Sequence, residues 1–251
     1  MTEPVLQTAT AALAEASQSP LSALSLARRW VRPLARRVRV RWGSLRRTSP
    51  VSAYYGFDRG LPVDRFYIER FLASFADDVR GRVLEVQDGA YTRRWGGDRV
   101  TANEILDINP ENAEATLVAD LAGAGSLPRE RYDCAILTQT LQYVTNPEAA
   151  LRNMWQSLAP GGVALITVPS LSRIDPDLPP VDFWRFTPRG LETILRQACP
   201  TGEIELNGFG NVLAAVAFLM GLAAEELRES ELEHNDEDFP LVVCARVRKP
   251  A

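Results

Sequence analysis

Apolar and polar positions along this chain switch between a strand-like and a helix-like period, and the switches mark out its elements. Residues 83–86, Val-Leu-Glu-Val, form a short apolar run that ends in a turn at Gly89. Such a run predicts a buried strand whose carboxyl end meets a ligand. Just ahead, Val63, Phe66, Tyr67, Phe71 and Phe75 recur at helical spacing and predict a helix over residues 63–72 that packs across the sheet. Residues 99–104, 115–119, 132–137 and 163–168 read as strands two to five. The fifth is almost wholly apolar, as a strand covered on both faces should be.

Asn146-Pro147 and Thr187-Pro188 each set a capping side chain before a proline at the first helical position. The helices they open turn Leu151, Met154, Trp155 and Leu158, and Leu191, Ile194 and Leu195, inward. Residues 203–206 and 241–247 supply the sixth and seventh strands. Alternation of strand and helix predicts an α/β, Rossmann-like fold: a seven-stranded, mostly parallel sheet with helices on both faces.

The texture differs before residue 53. Residues 1–20 are rich in Ala, Thr and Ser and are expected to be a frayed or disordered lead. The next stretch carries Arg28, Arg29, Arg32, Arg36, Arg37, Arg39, Arg41, Arg46 and Arg47 without an acid, and Trp30, Leu34 and Val38 form a helical stripe among them. Two readings stay open: a basic amphipathic helix for an anionic membrane surface or an acidic partner, or a helix packing its stripe on its own domain. The expected division is therefore an arm, 1–52, and a domain, 53–251.

Acids concentrate late, from Glu225 to Asp238, and the net charge of −4 argues against nucleic acid as a partner. Three scattered cysteines, Cys134, Cys199 and Cys244, suit reduced thiols and a cytoplasmic setting. Metal-ligand clusters with suitable spacing are absent, and no apolar run is long enough to span a bilayer. The first residues carry Glu3 before any basic cluster, unlike a secretory signal.

Three acids are placed by this reading at strand ends: Glu85, Glu104 and Asp120. Glu104 lies about 20 residues beyond the first turn, the spacing at which an acid reaches the hydroxyls of a ribose. A carboxylate suits a cis-diol because it accepts two hydrogen bonds. Asp120 is placed to accept from an adenine amino group.

Taken with Leu158-Ala-Pro-Gly-Gly162, Ala119-Asp-Leu121, Tyr132-Asp-Cys-Ala-Ile136 and Phe183-Trp-Arg-Phe-Thr187, this set resembles the class I methyltransferases that use S-adenosylmethionine, particularly the type 11 group. The likeness covers about residues 54–247. Asp58-Arg-Gly60, Pro62, Asp64-Arg65 and Tyr91-Thr-Arg-Arg94 also resemble a subgroup met alongside bacterial glycosyltransferases, which implies a glycan-related acceptor. The resemblance implies an antiparallel last strand. It further implies that Glu85 orients the turn, Gly89 admits the cofactor near Gln87, and Glu104 holds the ribose. Asp120 and Leu121 would read the adenine, and Gln139 would line the methionine end.

One departure stands out: Gln87 and Tyr91 occupy places where the family usually has glycine. Three explanations stay open, a loop particular to the subgroup, a pseudoenzyme acting as a binding module for a glycosyltransferase or membrane, and a core turn mistaken for a site. A nicotinamide dehydrogenase fits less well, because the loop lacks the glycines of a pyrophosphate cradle. For O-methylation of a small molecule or saccharide, a base is needed, and His234, the one histidine, is the candidate catalytic residue. Trp184 and Arg185 could stack on and hydrogen-bond a sugar. The apolar run 212–220 reads as a buried helix or as a lid over an apolar part of the acceptor.

Overall fold

The computed structural model describes residues 43–175 and 181–251, so the arginine arm up to residue 42 lies outside the described residues. Seven strands, β1 Gly81–Val86, β2 Val100–Asp107, β3 Leu117–Val118, β4 Tyr132–Thr138, β5 Leu158–Pro169, β6 Glu203–Phe209 and β7 Val242–Arg248, make one sheet. Its order is β3-β2-β1-β4-β5-β7-β6. Neighbours from β3 to β5 pair parallel, and β7 runs antiparallel to both β5 and β6. This is the Rossmann-like arrangement expected, with the antiparallel strand that the family resemblance implied.

Among the described residues, five α-helices accompany the sheet: α1 Val63–Ser74, α2 Pro147–Ser157, α3 Pro188–Ala198, α4 Val212–Leu219 and α5 Glu229–Glu233. Strand alternation sorts the core into two layers. Leu84, Ala135, Leu137, Ala164 and Ile166 pack under α2 and α3. Val83, Cys134, Ile136, Val163 and Leu165 pack under α1 and α4. All three cysteines are buried free thiols, and burial pushes the Cys199 thiol up to about 12.

The caps form where the sequence placed them. Asn146 accepts from Ala149 N at 3.0 Å and Thr187 Oγ1 from Gly190 N at 3.0 Å. Asn146→Ala should therefore cost about 1 kcal/mol and lower the melting temperature by about 3 °C, read by thermal denaturation.

Two expectations need correction. β2 runs on to Asp107, because the apolar Ile105 and Leu106, both buried, carry the strand past residue 104. β5 begins at Leu158, so Pro160-Gly-Gly162 belongs to the strand's entry. The run at 212–219 is neither wholly buried nor polar outside: Ala214, Ala217 and Phe218 face the core, while Val212, Leu213, Val216 and Leu219 are exposed.

Residues 51–62 form a strap over the chain between α4 and α5. Val51 and Ser52 donate their amides to Met220 O at 2.7 and 3.2 Å, and Ala224 N donates to Leu61 O at 2.7 Å. Pro62 bridges Ala223, and Arg59 pairs with Glu226. Gly56 is required in this strap: its φ is +96°, and a Cβ there would stand 2.7 Å from Leu222 O.

Candidate cofactor site

The turn after β1 is built on one carboxylate. Glu85 is 2% exposed, and its two oxygens accept the amides of Tyr91 at 3.0 Å and Thr92 at 2.8 Å. Burial pushes its carboxyl up from the usual range, while these donors pull the other way. The amides belong to the start of a π-helical turn, Thr92–Gly96, so Glu85 fixes how the chain leaves the strand. The space of a side chain at Gly89 is taken by Asn103 and Arg93. That glycine therefore lets the turn lie close on β2.

Gln87 directly follows β1 with φ +76°. Its amide donates to Leu106 O at 2.9 Å, and its carbonyl accepts Asn112 Nδ2 at 2.7 Å. The same Nδ2 donates to Asp107 Oδ2 at 2.6 Å, and Asp107 Oδ1 accepts Asn109 N at 2.8 Å. One asparagine thus ties the carboxyl ends of β1 and β2 together, and the acid at that place is Asp107. The Gln87 side chain is exposed, and the Tyr91 hydroxyl accepts from Arg65 Nη1 of α1 at 3.4 Å. The two residues standing in for glycine therefore hold backbone and helix contacts.

Gln139 directly follows β4, again with a left-handed φ of +48°; its amide donates to Thr167 O at 2.9 Å and its Nε2 to Thr167 Oγ1 at 3.4 Å. Side chains other than glycine are rare in this backbone region, and it costs about 1 to 3 kcal/mol where surrounding contacts hold it. The two such residues Gln87 and Gln139 thus follow neighbouring strands, β1 and β4, at the same carboxyl edge of the sheet.

Glu104 is elsewhere. It pairs with Leu84 in the middle of the sheet, and its carboxylate takes Arg131, the Arg82 guanidinium at 3.0 Å and the Tyr132 hydroxyl at 2.7 Å. The Arg131 hydrogen bond first, then Tyr132 and Arg82, hold its carboxyl at about 2. The expectation that Glu104 closes the second strand is thus corrected: the strand is three residues longer, and the carboxylate is spent on a structural cluster.

Asp120 lies two residues beyond β3, exposed, with Oδ1 accepting Ala122 N at 2.9 Å. Leu121 beside it is buried, its carbonyl taken by Asn153 of α2 at 2.8 Å. His234 ends α5 with an exposed side chain, and its carbonyl accepts Asn211 Nδ2 at 2.7 Å. No hydrogen bond or ion pair of its ring occurs among the described residues. Trp184 keeps an exposed ring with Nε1 donating to Val144 O at 2.8 Å. Arg185, read as a sugar contact, is committed to Asp182 at 2.5 and 2.9 Å and to the carbonyl of Arg173 at 2.6 Å. It clamps the loop after β5.

A family model described as a methyltransferase domain matches residues 53–198, more than half of the chain. The chain belongs to that family. Among curated proteins, no match was found. Three solved structures share the methyltransferase's fold. The S-adenosylmethionine-dependent methyltransferase from Mesorhizobium loti is 18% identical with a TM-score of 0.51, covering 77% of this chain and 100% of that one. The protein in complex with the Haloferax volcanii Trm112 methyltransferase activator is 14% identical, TM-score 0.50, covering 75% and 94%. A possible exported protein from Bordetella parapertussis is 17% identical, TM-score 0.50, covering 78% and 72%. At these identities the likeness is one of fold.

The methyltransferase's cofactor is S-adenosylmethionine. The chemistry at the carboxyl edge fits that group: the end of β2 carries the Asp107 carboxylate beside the Gln87 carbonyl after β1, acceptors that would suit ribose hydroxyls, and Gln139 follows β4.

Proposed function

We propose that this methyltransferase is catalytically competent and methylates a hydroxyl of a small molecule or saccharide. The observation that carries the reading is the pair of left-handed glutamines, Gln87 and Gln139, at the same end of adjacent strands, with Asp107 joined to the first through Asn112. When bound, S-adenosylmethionine supplies a methyl group on a sulfonium, so the chain has mainly to orient the reactants and exclude water. In this reading Glu85 and Gly89 set the turn, Gln87 offers backbone to the cofactor, and Asp107, in place of Glu104, accepts the ribose hydroxyls. Asp120 and Leu121 border the adenine, and Gln139 the methionine end.

A hydroxyl acceptor must lose a proton. We assign that task to His234, whose exposed side chain directly follows α5. The arginine arm would recruit the enzyme to an anionic membrane surface or a glycosyltransferase in the cytoplasm; vesicle co-sedimentation with and without residues 1–50 tests this, and equal pelleting of both removes it.

The central test is calorimetry with S-adenosylhomocysteine. Asp107→Ala should weaken binding about 10- to 100-fold, the equivalent of about 1 to 3 kcal/mol for lost hydrogen bonds to a charged acceptor. Folded wild-type protein that gives no heat at millimolar ligand would leave a binding module without catalysis.

A further inference from the structure

Of the twelve large apolar side chains exposed among the described residues, seven gather around α4. Val212, Leu213, Val216 and Leu219 of that helix are 36 to 54% exposed, while its other side holds Ala214, Ala217 and Phe218 in the core. Positions 212, 216 and 219 share one face and make an apolar stripe about 10 Å long.

The stripe is prolonged at both ends. Beyond its carboxyl end the strap is tied to Met220 O through Val51 and Ser52, and it carries the exposed rings of Tyr54 and Phe57. At its amino end Gly210 N donates to Asn235 Oδ1 at 2.9 Å and Asp236 N donates to Gly210 O at 2.8 Å. These bonds fix the turn that bears the exposed Phe239. Phe239 and Ala215 of α4 line one open cleft of about 430 Å³ together with Leu171, Pro188 and Pro240. A continuous apolar surface beside a groove is the mark of an interaction site.

The borders of this surface are charged, and with one sign. Residues 221–240 contain eight acids and a single arginine, Arg228. Glu237 and Asp238 line the same cleft as Phe239, and neither carboxylate has a hydrogen bond or ion pair among the described residues. At the other end Glu225 lies against the strap and accepts Leu61 N at 3.0 Å. Carboxylates therefore stand at both ends of the stripe.

That charge decides between occupants. An anionic membrane surface would be repelled. A second copy docking through the same face would, under two-fold symmetry, set an acidic end against an acidic end whichever way round the stripes met. A cationic amphipathic helix meets both demands, because its apolar ridge packs on α4 while its Lys or Arg side chains reach the flanking carboxylates.

We propose that the outer face of α4, with the cleft at its side, docks a basic amphipathic helix of another protein. The ends of β5 and β6 both lie opposite Val242, so α4 leaves from the carboxyl edge of the sheet. The docked partner stands at the same edge as the cofactor site.

The test uses the full chain and a model peptide of about 20 residues, with leucine at i, i+3, i+4 and i+7 and lysine elsewhere. A second peptide carries glutamate in place of lysine. Binding is read at the site itself, from the methyl NMR signals of Val212, Leu213, Val216 and Leu219. The lysine peptide should shift these signals saturably, and the glutamate peptide should bind there about tenfold more weakly or not at all. Val216→Lys, an exposed change, should weaken the lysine peptide about tenfold while the melting temperature stays that of wild type. Glu237→Lys combined with Asp238→Lys should turn the preference towards the glutamate peptide, a gain that a misfolded variant could not show. Equal shifts with both peptides, lysine-peptide binding untouched by Val216→Lys, or an unchanged preference in the doubly substituted chain would overturn the proposal. Phosphatidylcholine vesicles shifting those signals in place of the peptide, or a dimer that Val216→Lys dissolves, would overturn it as well and give the face to a bilayer or to a second copy.

Discussion

Glu85→Ala should lower stability by about 3 kcal/mol and abolish measurable S-adenosylhomocysteine binding. The buried carboxylate holds two backbone amides at 3.0 and 2.8 Å, and hydrogen bonds to a charged acceptor are worth about 1.5 to 3 kcal/mol each. Alanine leaves both N–H groups facing apolar surroundings and releases the turn that carries Gln87. For a domain of this size the melting temperature should fall by about 10 °C. Glu85→Gln keeps one acceptor oxygen but turns an NH2 towards the second amide, so about half the loss should return. Thermal denaturation gives the first quantity and calorimetry the second; an alanine variant that binds like wild type would free Glu85 from any role at the turn.

The second large effect separates Glu104 from the cofactor. Its carboxyl, held at about 2 against a usual 4.5, joins β1, β2 and β4 through Arg82, Arg131 and Tyr132. The linkage corresponds to about 3 kcal/mol, which partial exposure reduces to about 2. Because the folded value is depressed, this stability is fully present above about pH 4.5 and is lost as pH falls from there towards 2. Glu104→Gln should therefore destabilise the protein at pH 7 by about 2 kcal/mol, and the gap from wild type should close in acid. At pH 7 the folded variant should bind S-adenosylhomocysteine as tightly as wild type. A large loss of affinity in folded Glu104→Gln would return the ribose to this residue.

Much of the scaffold is legible in local pattern. Continuous apolar runs identify β1, β4 and β5 because both faces of each are covered, and Asn146 and Thr187 announce their helices through short-range chemistry. Glu104 sits at the spacing of a strand-end acid, but the apolar Ile105 and Leu106 carry the strand past it. Asn109-Pro110, which cannot continue a central strand, was the signal that the strand ends at Asp107. Arg185 could not be read correctly, since its partners Asp182 and Arg173 depend on how a loop folds back.

The strap at residues 51–62 also bears on how the protein is made. Its hydrogen-bond partners from Met220 to Glu226 emerge from the ribosome some 165 residues later, so those bonds cannot form until nearly the whole domain exists. Closure of this domain is thus a late, long-range event in synthesis, and a nascent chain stalled before residue 220 would expose the strap to proteases that the finished protein resists.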